Sequence, residues 1–143
     1  MVSVRPTRDD IATAVRTALG ASSGSADPEA IVAVYLFGSY SRGTARVDSD
    51  IDLGLLYAAP PAATLLAQPF LIEAQLAEQL GRPVQCVVMN TAPADLVHQI
   101  LMDRSLLLDA KPSYRIRFEV GARNQFFDLK PMLDRYRRAR HVA

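Results

Sequence analysis

Gly38-Ser39-Tyr40-Ser41-Arg42-Gly43-Thr44-Ala45-Arg46-Val47-Asp48-Ser49-Asp50-Ile51-Asp52-Leu53 is the stretch that decides the fold. An apolar run, Ile31 to Phe37, feeds directly into its Gly-Ser pair, and a second apolar run, Ile51 to Tyr57, carries its two final aspartates. Apolar runs of this length bounded by turn residues read as buried strands. A strand points alternate side chains to one face, so Asp50 and Asp52 face the same way while Ile51 points into the core. Two carboxylates about 6–7 Å apart along a strand repel one another unless a cation lies between them. Mg²⁺ suits such a pair, because it takes oxygen ligands and is usually bound through one or two carboxylates plus substrate phosphates. Small residues at Gly38 and Ser39 let backbone N–H groups approach an anion, and a helix starting there favours negative charge. Metal carboxylates facing a phosphate turn are the elements of a nucleotide site.

The segment resembles the Gly-Ser-(ten residues)-Asp-x-Asp signature of the DNA polymerase β-like nucleotidyltransferases. Arg42-Gly43 and Ser49-Asp50-Ile51-Asp52-Leu53 are similar to the minimal nucleotidyltransferase (MNT) branch, which includes MntA-type antitoxins that act beside helical HEPN toxins of the HepT kind. The signature covers residues 31–57, and weaker similarity continues through Pro83–Asp109 into a C-terminal segment with Arg117-Phe118-Glu119. The resemblance implies that Gly38 and Ser39 hold a nucleoside triphosphate, that Asp50 and Asp52 bind Mg²⁺, and that Arg42 assists at the phosphates. It further implies transfer of AMP from ATP to a hydroxyl, a tyrosine on a cognate HEPN RNase toxin, which the modification silences. A non-catalytic antitoxin that acts by binding its partner is an alternative. So is a small-molecule nucleotidyltransferase of the aminoglycoside type, although 143 residues leave no room for a second substrate domain.

Strand three carries a departure from that pattern. Active relatives place a third aspartate there, as general base or third metal ligand; here the position falls at Gln85, in Arg82-Pro83-Val84-Gln85-Cys86-Val87-Val88. No shift of register restores an acid, since residues 79–94 contain neither Asp nor Glu. Glutamine offers a neutral carbonyl and cannot take a proton near neutral pH. General-base catalysis is typically worth about 10²–10⁴-fold, with positioning and electrostatics supplying much of the remainder. The substitution therefore implies slow chemistry with the acceptor activated by another group, such as one from a partner protein, or a domain that only binds nucleotide or partner.

Bulk properties fit one domain over residues 1–143, large enough to bury roughly two-thirds of its unfolded surface. With 16 Lys and Arg against 15 Asp and Glu, the net charge of +1 gives no reason to expect direct nucleic-acid binding. A single cysteine, Cys86, excludes an internal disulfide and a cysteine-based zinc cluster, and its apolar surroundings suggest a buried thiol. His98 and His141 lack metal-ligand spacing, and His98 reads as packed or capping. No apolar run approaches the ~18 residues of a membrane span, and Met1–Arg16 has no signal-peptide apolar stretch, so a cytoplasmic location is expected.

Apolar periodicity organises the rest. Thr7 and Arg8-Asp9-Asp10 open a helix to about Leu19, with Ile11, Val15 and Leu19 on one face; Gly20–Asp27 reads as a loop. Strand one is Ile31–Phe37, followed by a short helix from Ser39 to about Ala45, then strand two, Ile51–Tyr57. A helix is expected from about Ala63 to Leu80, carrying Leu66, Phe70, Glu73 and Leu76 or Ala77 along its turns, with Gly81 at its C-cap. Strand three (Val84–Met89), a helix over Ala92–Asp103 and a short strand at Leu106–Leu108 follow. From Pro112 the chain reads as a C-terminal helical segment, 112–143, that Gly121 and Pro131 should interrupt. The expected class is α/β (α+β): a small mixed sheet of about four strands covered by helices, with no internal repeat. Phe126, Phe127, Leu129, Met132, Leu133 and Tyr136 form a stripe that reads as core, with oligomer or toxin contact as the alternative. Arg135, Arg137, Arg138 and Arg140 read as a solvated helix end, or as a docking site for an acidic partner.

Overall fold

A computed structural model describes residues 5–19, 30–62, 64, 68–103 and 105–142. The elements in order are α1 (Arg8–Leu19), β1 (Ile31–Phe37), α2 (Ser39–Arg42), β2 (Ile51–Tyr57), α3 (Phe70–Leu80), β3 (Val84–Val88), α4 (Ala94–Asp103), β4 (Ser105–Asp109) and α5 (Pro112–Val142). The strands form one mixed sheet in the order β3-β2-β1-β4. β1 is antiparallel to both β2 and β4, while β2 and β3 run parallel, with α3 in the connection between them. Both central strands are sandwiched between helices, which is why β1 reads as an unbroken apolar run and is buried at all seven residues.

One face of the sheet packs against α1 and α3 through Ile11, Val15, Val34, Leu36, Ile51, Leu53, Leu55 and Leu76. The other packs against α4 and the first turns of α5, through Tyr35, Phe37, Leu56, Met89, Val97 and Ile100, with Tyr114 and Phe118 at the margin. Helix α1 starts as its sequence predicts. Thr7 Oγ1 accepts the Asp10 N–H (3.1 Å) and Asp10 Oδ2 accepts the Thr7 N–H (2.8 Å), a reciprocal cap. Strand β3 is an edge strand, and Glu73 of α3 accepts the Cys86 N–H at 2.8 Å, satisfying a donor that the sheet leaves open. Among the described residues no helix is long and apolar enough to cross a membrane.

Three helices differ from their expected extent. Helix α2 ends at Arg42, because Gly43 adopts φ 73° and turns the chain out of the helix. Helix α3 begins only at Phe70. Pro69 occupies its N-cap, and a proline disfavours helical backbone in the residue before it. Phe70 is exposed, so of the expected inward series it is Leu76 that is fully buried; Ala63 and Leu66 lie outside the described residues, as does the expected loop 20–27. Helix α5 runs through both Gly121 and Pro131 without a break. Both residues are exposed, so water can reach the carbonyl that Pro131 leaves without a donor. The expected core stripe on α5 also divides. Phe126 stacks on His98 at 3.7 Å, which confirms His98 as a packing residue, but Phe127, Met132 and Tyr136 are each about 60 % exposed.

Candidate active site

The topology carries the Gly-Ser turn and the two aspartates to one end of the sheet. Phe37, the last residue of β1, pairs with Asp52 of β2, so the turn that follows Phe37 stands directly beside Asp52. Gly38 has φ 74° and ψ −151°, a conformation that residues with side chains avoid. A Cβ at this position would lie 2.5 Å from Oδ2 of Asp52. Glycine is thus required twice, by the backbone angle and by the closeness of the carboxylate.

Below the turn, Arg46-Val47-Asp48-Ser49 makes a second one. Ser49 Oγ accepts the Arg46 N–H at 2.7 Å and the Ser49 N–H reaches the Arg46 carbonyl at 3.1 Å, while Arg5 donates to the carbonyl of Ala45. This pinned loop delivers Asp50 to the head of β2. Ile51 is fully buried against the α1 and α3 side, leaving Asp50 and Asp52 half-buried on the opposite face. Burial first, and then repulsion from Asp50, raises the Asp52 carboxyl above its ordinary value, with Arg42 pulling the other way. Arg42 is folded onto the turn: its Nε donates to the Gly38 carbonyl at 3.3 Å, next to the main-chain bond from its own N–H at 3.1 Å.

Strand β3 pairs Gln85 with Asp52, so the position where the resemblance implies a third acid faces the aspartate pair. Its amide Nε2 donates to Oδ2 of Asp50 at 3.4 Å, so a neutral donor stands where a third carboxylate would face the pair. Among the described residues no cluster of three or more His, Cys, Asp or Glu could hold a metal ion. Mg²⁺ fits the donors that are present. Two hard oxygen ligands share a face, a cation would relieve their repulsion, and substrate phosphates and water ordinarily complete its shell.

One residue of this site escaped the sequence reading. Asp103, at the end of α4, accepts the Gly38 N–H through Oδ2 at 2.9 Å, and its main-chain carbonyl accepts the Ser41 hydroxyl at 3.3 Å. It lies 65 residues from Gly38 in sequence, and no motif spacing connects the two. The link is topological: Ser105 pairs with Leu36, which sets the end of α4 beside the end of β1. Cys86 is half-buried on the other side of the sheet among the α1 and α3 contacts, where burial pushes its thiol up to about 12.

The fold agrees with what comparison with known proteins finds. A search of curated proteins gives no match. Among solved structures, a chain from a crystal structure of a toxin–antitoxin with AMP-PNP superposes with TM-score 0.65 at 22% identity, over 87% of this chain and 97% of the other. A chain from a tri-AMPylated Shewanella oneidensis HEPN toxin in complex with MNT antitoxin gives 0.60 at 19%, over 91% and 98%. One from the toxin–antitoxin MntA-HepT gives 0.55 at 17%, over 90% and 95%. At these identities the likeness establishes a shared fold. The family model "Polymerase beta, Nucleotidyltransferase" matches residues 25–113, which include the turn, both aspartates, Gln85 and Asp103. The chain belongs to the polymerase β nucleotidyltransferase family.

Proposed function

We propose that this protein is an MNT-type antitoxin that transfers AMP from ATP to a tyrosine hydroxyl of a cognate HEPN-family RNase toxin and so neutralises it. The observation that supports this reading is the closeness of the Gly38 turn to the Asp52 carboxylate, which a Cβ on Gly38 would approach to 2.5 Å. It is supported by the family membership and by solved relatives of the same fold whose descriptions name AMP-PNP and an AMPylated toxin.

In this account Gly38 and Ser39 hold the triphosphate of ATP, with Arg42 beside them. Asp50 and Asp52 would hold Mg²⁺, which supplies charge neutralisation and orientation of the phosphates. The acceptor oxygen attacks the α-phosphorus in line, the bond from that phosphorus to the β-phosphate bridging oxygen breaks, and pyrophosphate leaves. The hydroxyl proton passes to solvent, because Gln85 cannot accept it. Catalysis then rests on positioning and electrostatics.

Gln85 also favours a second reading. A domain lacking the third carboxylate neutralises its toxin by binding alone. Incubating the purified chain with α-labelled ATP, Mg²⁺ and the protein encoded beside it separates the two. Label recovered on a toxin tyrosine supports transfer; a stable complex without label leaves the binding antitoxin.

A further inference from the structure

We propose that Asp103 is the positioning residue of the phosphate turn, holding Gly38 and Ser39 at their working distance from Asp50 and Asp52. The inference rests on the nucleotide-site reading above and adds a residue to it.

Gly38 occupies a backbone conformation that persists only where its surroundings over-determine it. Its carbonyl is held from within the turn by the N–H and the Nε of Arg42. Its N–H has no partner of that kind and goes instead to the Asp103 carboxylate at 2.9 Å, a charge-assisted bond. The Asp103 carbonyl takes the Ser41 hydroxyl, so one residue grips the turn at two points. Asp103 is itself anchored. Ser105, two residues on, is buried and paired with Leu36, and the preceding turn of α4 buries Ile100 and Leu101. Ile100 packs against Gly54, where a Cβ would come within 3.2 Å of its Cγ2, so α4 sits down on β2 two residues beyond Asp52. The two halves of the site therefore have a common support: β2 carries the metal carboxylates, and α4, seated on β2, carries the group that fixes the turn. Since a misplacement of about 1 Å can cost on the order of 10²-fold in a reaction, such a support governs how well a triphosphate can be shared between turn and metal.

A carboxylate near a nucleotidyl-transfer site could instead serve as the base that Gln85 is not. The two roles part at asparagine, which keeps an acceptor for the Gly38 N–H but takes no proton. The test titrates MgATP calorimetrically into the parent, Asp103→Asn and Asp103→Ala, and measures exchange of the Gly38 amide and AMP transfer in each. Positioning predicts that Asp103→Ala raises the MgATP dissociation constant about tenfold or more and speeds Gly38 amide exchange to a similar degree. Asp103→Asn should stay within about threefold of the parent in both. The role is overturned if Asp103→Ala binds MgATP as tightly as the parent, or if Asp103→Asn falls in transfer as far as Asp103→Ala while binding normally. A parent that binds no MgATP overturns the nucleotide reading itself, and the role assigned to Asp103 with it.

Discussion

At Gly38 a single methyl group would act on function more than on folding. The atom it meets is the far end of the Asp52 side chain, which can swing aside, so the clash displaces the carboxylate proposed to hold Mg²⁺ and leaves the backbone in place. The remaining cost is that of forcing φ 74° and ψ −151° on an L-residue, roughly 1–3 kcal/mol. Gly38→Ala should therefore remain folded in a denaturant titration yet lose the Mg²⁺-dependent part of ATP binding. Gln85 sets a prediction of the opposite sign. Gln85→Asp returns an acid to the position opposite Asp52, and if proton removal limits transfer the rate should rise by about 10–100-fold, with a smaller change in ATP affinity. Initial rates of AMP transfer between pH 6.5 and 9 decide it; a parent already as fast as the variant at every pH shows that Gln85 is not a missing base. Cys86 gives the pH dependence. Burial raises its folded value from 9.0 to about 12, so the folded state holds the proton more tightly than the unfolded chain. Its contribution to stability is complete below pH 9 and is lost as pH rises through about 12. Denaturant midpoints measured across that interval should fall less steeply for Cys86→Ala than for the parent.

Among the elements, those whose identity rests on apolar runs were legible in the sequence. β1 and β2 have the expected bounds because both faces of each strand are covered, which leaves a continuous apolar signal. Helix ends were less legible. Gly43 cuts α2 and Pro69 delays α3 through backbone chemistry, whereas the apolar spacing by itself continues past both. Pro131 illustrates the converse. An expected break does not occur, because the helix there is exposed on the proline side and need not pack around a kink. Pro131→Ala should supply the N–H that the Phe127 carbonyl lacks and slow amide exchange in residues 128–136, with little change in the global midpoint. The first turns of α5 are held differently. The Tyr35 hydroxyl donates to Glu119 at 2.7 Å, and Arg115 bridges Glu119 at 3.0 Å and Asp109 at 3.1 Å, joining β1, β4 and α5. Glu119→Ala leaves the buried Tyr35 hydroxyl without its acceptor and should cost about 1–3 kcal/mol in urea denaturation, a loss that Tyr35→Phe in the same chain should partly relieve.

For the molecule as a whole, a net charge near zero conceals a division. Residues 112–142 carry eight Lys and Arg against three Asp and Glu, while residues 1–111 carry eight against twelve. The basic part is one helix of 31 residues, about 46 Å long, which also exposes Phe127, Met132 and Tyr136. The charge and the apolar stripe were both visible in the sequence, but their exposure was not, since periodicity cannot say how far a helix outruns the body it packs on. The candidate site was legible where residues lie close together in the chain, at Gly38, Ser39, Arg42, Asp50 and Asp52, whereas the register that puts Gln85 opposite Asp52 came only with the sheet. Asp103 became visible only once β4 was paired with β1. If the toxin complex proposed above forms, deleting residues 134–143 should weaken it, by more at low salt than at high, with the midpoint of thermal unfolding nearly unchanged. A truncated chain that binds as well as the parent at every ionic strength would reduce these arginines to a solvated helix end.

The central claim is that the Gly38 turn and the aspartate pair form one Mg²⁺-dependent nucleotide site. Calorimetric titration of ATP into the parent and into Asp50→Asn/Asp52→Asn, each with and without Mg²⁺, tests it most directly. The account predicts saturable binding of ATP to the parent that strengthens at least tenfold with Mg²⁺, and a double variant that is folded but shows no Mg²⁺ dependence. Equal binding by parent and double variant, or no binding to the parent at millimolar ATP with Mg²⁺, would contradict it.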